Sequence, residues 1–545
     1  MGDKAFLSEI LEANKLTDAY HDMMGTRFLD RLMHPTQEGT AGSAEQAAGP
    51  SSVRYSTLEE DGAVSFDEDK PAKPPVPGTS ESGDIFTVDD AVNAFGFGSF
   101  QVKLSLLTGL AWMADAMEMM ILSILSPALH CVWWLPSWKQ ASITTIVFTG
   151  MMMSATLWGN ICDRFGRRAG LILSTLITFY FGLLSAISPN FTWLLILRGL
   201  TGFGIGGLPQ SVTLYAEFLP SAHRAKCVVM IEVFWAIGTL FEALLAYLVM
   251  HSLGWRWLLG LSSLPLMLFT IGCAWLPESA RFHVACGRVD LAMKTLEEVA
   301  RQNGKPMLKG RLVAPPAEEE KRGRISDLFV PEMRATTLLL WFIWLANAFA
   351  YYGLVLLTTE LFESGDKCHG GSHPDAHKAP CALECRMLSS GDYVDLMVTT
   401  LAEFPGVIVT ALIIDCLGRR KTMAFELFSF SIFIFLLFLC INRSTLNMFI
   451  FIGRAAVSGA FQAAFVYTPE VYPTTLRAIG LGSCSGFSRL GALVTPFVAQ
   501  VLTDISTTLP VAIYGVVAVL AGMASMLLPI ETAGRRLHDA VSAMH

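Results

Sequence analysis

Residues 159–168 read Gly159-Asn160-Ile161-Cys162-Asp163-Arg164-Phe165-Gly166-Arg167-Arg168, and the second half of that string returns 252 residues later as Asp415-Cys416-Leu417-Gly418-Arg419-Arg420. Two more blocks keep nearly the same spacing. Tyr215-Ala216-Glu217-Phe218-Leu219-Pro220, followed by Arg224, returns as Pro469-Glu470-Val471-Tyr472-Pro473, followed by Arg477. Pro277-Glu278-Ser279-Ala280-Arg281 returns as Pro529-Ile530-Glu531-Thr532-Ala533-Gly534-Arg535. Three matched blocks, each at the same place in its half, mean a duplicated unit whose copies are related as parallel repeats.

Between the blocks run apolar stretches, each near the ~20 residues a helix needs to cross a bilayer. Twelve are placed near 104–129, 140–161, 169–188, 192–217, 227–250, 256–276, 335–361, 392–414, 422–441, 446–469, 478–503 and 510–529. Only helices satisfy their own backbone at this hydrophobicity. The expected fold is therefore an all-α membrane protein of 12 transmembrane helices in two six-helix halves, 101–276 and 335–530. A linker at 277–334 joins the halves, a tail at 1–90 precedes them, and 531–545 follow.

Composition agrees. Of 545 residues 52% are hydrophobic and 16% charged, against about 25% charged in soluble domains. That leaves too little polar surface to clothe water-soluble domains of this length. Residues 1–90 hold 7 Lys/Arg against 18 Asp/Glu, so the net charge of −8 belongs to the tail. No basic face is left for nucleic acid, and 11 cysteines are too sparse for a disulfide scaffold. The tail lacks an apolar leader-like run. It reads as acidic, mostly disordered chain, with one short amphipathic helix spaced by Phe6, Leu7, Ile10 and Leu11.

Loops after even-numbered spans carry Arg164, Arg167 and Arg168; Arg224; eleven basic residues from Arg281 to Arg334; Arg419 and Arg420; and Arg477. Loops after odd-numbered spans carry few. By the positive-inside rule both termini and the linker are cytosolic.

Gly159–Arg168 resembles the loop signature of the major facilitator superfamily, and Arg198-Gly199-Leu200-Thr201-Gly202 its fourth-helix motif. Pro277–Arg281 and Pro529–Arg535 resemble the sugar-porter and organic-ion-transporter branch. Longer strings, Leu107–Glu118, Gly204–Glu217 and Tyr351–Glu360, resemble that superfamily's synaptic-vesicle members. The resemblance runs from about Phe86 to Leu537. It implies alternating access around a central site, a synaptic or other secretory vesicle membrane, and a small-molecule substrate.

Asp163, Arg164, Arg167, Arg168, Glu217 and Arg224, with their counterparts Asp415, Arg419, Arg420, Glu470 and Arg477, are gating candidates. Carboxylates there can cap helix N-termini or pair with arginines across the interface between halves. The second copy departs from the first, with Ala411 for Gly159 and Cys416 for Arg164, so a weaker lock is expected there. Ionisable residues inside spans are costly and invite a functional reading. Asp115 and Glu118 share a face of the first helix, and Asp115 falls where proton-coupled sugar porters carry an acid. For Asp115, Glu232 and Arg489 a cavity-facing role is preferred to buried pairing; Glu242, Glu403 and Glu426 stand evenly between the two. Gln210, Trp235, Asn347, Tyr351, Tyr352, Gln462 and Tyr467 complete the candidate cavity set. Leu340 and Trp341 stand where the resembling sugar porters carry paired glutamines, and Glu232 where they carry a sugar-binding glutamine, which together argue against a hexose; the acids and Arg489 suit a charged or zwitterionic organic solute.

Cys131, Cys368, Cys381 and Cys385 fall in non-cytosolic loops, where two disulfides in three pairings are possible. His369, His373 and His377 share a spacing of four with Cys381 and Cys385. Pro374 and Pro380 interrupt any metal-binding helix there, so disulfides are preferred. No Walker motif, nucleophile constellation, metal or cofactor site is found, so no enzyme is expected. The expected protein is a monomeric secondary transporter in contact with lipid. The rival is a transporter-shaped vesicle protein that binds a ligand, a nucleotide among them, or a protein partner without moving solute. A tag on the N-terminus should be cleaved by protease added to sealed vesicles with the cytosolic face outward; a protected tag contradicts the orientation.

Overall fold

The computed structural model describes residues 85–313, 324–364, 387–439 and 441–533. The amphipathic helix expected near the N-terminus, the cysteines Cys368, Cys381 and Cys385, and the C-terminal tail from 534 lie outside them.

The chain enters through β1 (Ile85–Phe86) and α1 (Val88–Phe95). In the first half, α2 (Ser99–Trp133), α3 (Ser137–Phe165) and α4 (Arg167–Ala186) are unbroken. The fourth expected span consists of α5 (Phe191–Ile205) and α6 (Gln210–Glu217), the fifth of α7 (Ser221–Met230) and α8 (Glu232–Val249). The sixth consists of α9 (Trp255–Ser262) and α10 (Leu264–Gly272), where Pro265 can take only a first-turn position. The linker carries α11 (Ala280–Ala285), α12 (Val289–Gln302) and β2 (Arg311–Leu312).

The second half repeats the plan. It has α13 (Pro331–Ser364), α14 (Ser390–Thr400) and α15 (Glu403–Leu417), α16 (Arg419–Phe435), and α17 (Arg443–Val471). Then come α18 (Thr474–Pro496), a π-helical stretch at Phe497–Val501, α19 (Leu502–Ile505) and α20 (Thr508–Leu527). Among the described residues ten helices are long and apolar enough to cross a membrane. The sixth and eleventh expected spans are present as interrupted helices.

Burial is arranged as lipid demands. Large apolar side chains such as Met153, Leu412 and Leu527 are 69–71% exposed on the outer flanks, while Arg198, Arg454, Thr108 and Gln101 are fully buried. Close helix approach relies on glycine: a Cβ on Gly202 would stand 2.2 Å from the Val147 carbonyl oxygen, and one on Gly491 2.3 Å from that of Leu345. Asn190 and Asn442, both in glycosylation sequons, are N-caps of α5 and α17, each accepting a backbone N–H three residues on.

One end of the bundle gathers Arg167, Arg168, Arg224, Arg419, Arg420, Arg477 and the linker, and is called here the basic end. At this end α3 turns into α4 through Gly166 at φ +102°, and α15 into α16 through Gly418 at φ +85°. The new helix N-termini are then capped by distant carboxylates. The N–H groups of Arg167 and Arg168 donate to Glu278 at 2.8 and 3.2 Å, and those of Arg419 and Arg420 to Glu531 at 2.9 and 3.3 Å. An anion there also meets the helix dipole. Burial raises the Glu278 carboxyl above its ordinary range, against the pull of those N–H groups.

Residues 85–95 belong to this body, although the sequence reading assigned everything up to 90 to a disordered tail. β1 pairs in parallel with β2. The face Val88, Ala91, Val92, Phe95 of α1 enters one core with Ala292, Leu296, Val299 and Ala300 of α12, the i, i+3, i+4, i+7 spacing of an amphipathic helix. Asp89 bridges Arg281 and Arg224, the latter at 3.4 Å. A strand of two residues has no readable periodicity, which is why its pairing was not legible.

Gly166→Ala should lower the apparent unfolding temperature of detergent-purified protein by the equivalent of about 1–3 kcal/mol, the usual cost of a non-glycine residue at such a φ. Its Cβ would also stand 2.3 Å from Glu278 Oε2. Gly159→Ala, whose Cβ meets nothing within 4 Å, should be neutral or mildly stabilising. Equal effects at both sites would contradict the capping account.

Candidate functional site: a central cavity between the halves

The bundle encloses a cavity of about 1580 Å³ lined by both halves. It reaches from a charged and aromatic floor to the basic end, where Asp163, Arg167, Arg224, Glu470 and Arg477 form its mouth. At the opposite end the halves meet. Gln500 Nε2 donates to Ser126 Oγ at 2.8 Å, Thr239 Oγ1 donates to Glu403 Oε2 at 3.3 Å, and His251 and Tyr393 stack edge to face at 5.8 Å. The cavity is thus open toward the basic end and closed at the other.

Asp115, Gln210, Glu232, Trp235, Tyr351, Tyr352, Gln462 and Arg489 all line it. Asp115 comes from the middle of α2 and Arg489 from α18. They interact electrostatically without forming an ion pair. Asp115 Oδ1 is buried without a protein partner, so its bonding capacity is left to the cavity. Glu232, at the first turn of α8, has the Trp112 indole and the Gln462 amide beside it. Trp112 and Trp235 lie 5.5 Å apart, and Phe148 from the first half meets Tyr352 from the second at 5.0 Å.

Four sequence candidates are elsewhere. Glu118 faces away from the cavity and forms a fully buried ion pair with Arg198 at 2.8 Å. Glu242 lies near this pair and accepts from Ser262 at 2.8 Å. Asn347 is buried, with neither amide atom bonded, on the same α13 face as Trp344 and Tyr351 but outside the lining. Tyr467 donates to the Ile530 carbonyl at 2.7 Å and is packed in the second half's core.

Sequence reasoning weighed Glu403 evenly and missed Arg454. Arg454 Nε donates to Glu403 Oε1 at 3.0 Å and Nη2 lies 2.9 Å from the same oxygen as an ion pair, with both side chains buried. Tyr351 donates to the same oxygen at 2.8 Å, and Trp235 of the first half donates to the Tyr351 hydroxyl at 2.8 Å. Glu403 also lines the cavity floor. The readable signal was a second arginine deep in a fourth helix. Arg454 follows its glycine whereas Arg198 precedes one, so motif matching passed over it.

The gating set differs from expectation in two respects. The pairs of Arg167 and Arg419 among the described residues lie within halves: Arg167 meets Asp163 at 2.8 Å, Glu217 at 3.3 Å and Gln210 at 3.1 Å. Arg419 meets Asp415 at 2.9 Å and holds Glu470 through Nε and Nη2 at 2.9 and 3.1 Å. Arg168 and Arg420 each cap carbonyls at the end of the sixth or twelfth span. The second copy is also no weaker. The two altered positions bear no pair, since Gly159 faces open space and exposed Arg164 lies against the Phe165 ring at 5.6 Å. Arg224 and Arg477 turn back onto the Leu219 and Pro469 carbonyls at 3.2 and 2.8 Å. Cys131 is disulfide-bonded, with a partner outside the described residues. Among the described residues no His, Cys, Asp or Glu cluster has metal-holding geometry.

Two six-helix halves around a central cavity closed at one end define an all-α, multi-pass membrane protein with the architecture of a transporter rather than an enzyme. The family described as "Sugar (and other) transporter" matches residues 106–364, and "Major Facilitator Superfamily" matches residues 389–543. The chain belongs to the major facilitator superfamily, in its sugar-porter branch. It is 60% identical over 456 residues to the synaptic vesicle 2-related protein of Xenopus laevis, covering 84% of this chain and 83% of that one. It is 38% identical over 494 residues to organic cation/carnitine transporter 7 of Arabidopsis thaliana, covering 84% and 97%. Its fold matches the xylose transporter XylE from E. coli in a partially occluded inward open conformation, with a TM-score of 0.64 at 17% identity over 81% of this chain and 100% of that one.

Removing one member of a buried ion pair strands the other charge at a cost of about 3–5 kcal/mol. Glu118→Ala should therefore lower the apparent unfolding temperature strongly, and Glu118→Ala with Arg198→Met should recover most of the loss. If the double variant is as unstable as the single one, the pair is not what Glu118 contributes.

Proposed function

We propose that the protein is a secondary active transporter of a small charged or zwitterionic organic solute, working by alternating access in a vesicle membrane with both termini cytosolic. The carrying observation is the cavity floor. Asp115, Glu232 and Glu403 meet Arg489 there, with aromatic rings from both halves between them. Since Glu403 is already neutralised by Arg454, Asp115, Glu232 and Arg489 remain to select a solute carrying charge. The tryptophans and tyrosines offer ring faces to a cationic group. The name of the Arabidopsis relative gives organic cations and carnitine, which agrees with a charged solute. With the basic end cytosolic, the structure is an inward-open state. The names of the vesicle relatives favour the vesicle membrane.

The rival reading, a binding protein that does not move solute, rests on the resemblance to the synaptic-vesicle members and on the altered second loop; the contacts of Arg419, Glu470 and Glu531, which match those of the first copy, favour transport.

Asp115 is the proposed proton carrier. Its Oδ1 lacks a protein partner in this state, and the distance from Arg489 must change when the halves rock. An ion shifts the equilibrium only by its differential affinity for the two states. Purified protein in liposomes, tested against a panel of organic ions with and without a pH gradient, should accumulate solute only with the gradient. Asp115→Asn should lose gradient-driven accumulation and retain counterflow exchange. Normal accumulation in the variant places coupling elsewhere. Loss of exchange as well makes Asp115 a solute ligand.

A further inference from the structure

The floor and mouth of the cavity account for solute binding, but not for what keeps the opposite end shut. There the eleventh span changes character. α18 ends at Pro496, which has no N–H to donate, and the next five residues, Phe497–Val501, are π-helical before α19 resumes. π stretches are rare, widen the helix locally and are found mostly at functional sites. Gln500 projects from this one and is 1% exposed. Its Nε2 donates at 2.8 Å to Ser126 Oγ across the boundary between halves.

Ser126 is also at a weak point of its helix, because Pro127 follows it inside α2. It is 2% exposed and passes the connection on, donating at 3.1 Å to Gln140 Oε1 on α3. Gln140 in turn touches His130 and donates to the Leu135 carbonyl at 3.3 Å. A buried polar chain therefore links the eleventh span to the first and second spans where the first and eleventh each carry a proline inside the helix. Buried amides left without partners are costly, and lipid offers none. Packing alone would close this end with apolar side chains, as it does around Ile124.

We propose that the Gln500–Ser126 hydrogen bond is the latch of the closed end, and that the π stretch and the turn of α2 at Pro127, where the backbone N–H is missing, are the hinges that let it part. The latch sets the balance between the two access states. It rests on the alternating-access reading, but its test needs no solute. Opening that end separates the halves and strands the Gln500 amide N–H until water enters, while Ser126 keeps its bond to Gln140 within the first half, so the bond favours the state seen here. One such bond has a net value that corresponds to about a 2- to 10-fold shift between states.

Two reporters read the balance by mass spectrometry of peptides labelled with a bulky polar maleimide in nanodiscs. Ile124→Cys lies at the closed seam, fully buried beside Tyr393 and Leu388 of the other half. Ser485→Cys lines the open cavity. Gln500→Leu and, separately, Ser126→Ala should each raise labelling at Ile124→Cys about 2- to 10-fold and lower it at Ser485→Cys. The combined Ser126→Ala and Gln500→Leu chain should go no further than either alone, since the same bond between halves is lost in all three and the Ser126–Gln140 bond that Ser126→Ala also removes lies within the first half. Unchanged labelling in both single variants overturns the latch, and so does a double effect equal to the product of the singles. The Ser126→Ala arm stands if Gln500→Leu fails to fold. Failure of solute uptake with shifted labelling overturns the transport reading and leaves the latch in place.

Discussion

The interior of each half is organised around an arginine that no water reaches. Arg198 and Arg454 are both fully buried, in the fourth and tenth spans, and each is neutralised by a glutamate at 2.8–3.0 Å. An unpaired guanidinium at this depth would not be tolerated, so the helices that supply the glutamates must sit against those that supply the arginines. In the first half that fixes α2 against α5. In the second it fixes α15 against α17, and through Tyr351 and Trp235 it reaches α13 and α8.

The two halves use this constraint differently, and function enters through the difference. Glu118 closes its pair within the first half and leaves Asp115, one turn away, to the cavity. Glu403 closes its pair at the cavity floor and also accepts from Thr239 of the first half. The same kind of pair is thus structural in one half and part of the interface in the other. Charge at the mouth is treated symmetrically. Glu278 and Glu531 cap matching helix starts, and Arg167 and Arg419 hold matching carboxylates. None of these pairs spans the cavity, as befits an end that stands open.

Much was legible from residue order. The repeat of Asp163–Arg168 at Asp415–Arg420, the apolar run lengths and the arginine-rich loops are local properties, and local physics decides them: a bilayer sets the run length, and backbone hydrogen bonding forces the run into a helix. Eight of the eleven proposed cavity residues were found because an acid, amide or ring inside a span is costly enough to stand out.

Which way those residues face, and what they meet, only the tertiary structure decided. Asp115 and Glu118 are three apart and on one broad face, yet one lines the cavity and the other is sealed against Arg198. The partner that makes the difference is 80 residues away on another helix. The same holds for Gln500 and Ser126, 374 residues apart, and for Arg454, whose meaning depends on Glu403. Sequence fixes periodicity along one helix. The pairing of charges and amides between helices depends on crossing angles and on where helices break, and these are set by packing among all the helices at once.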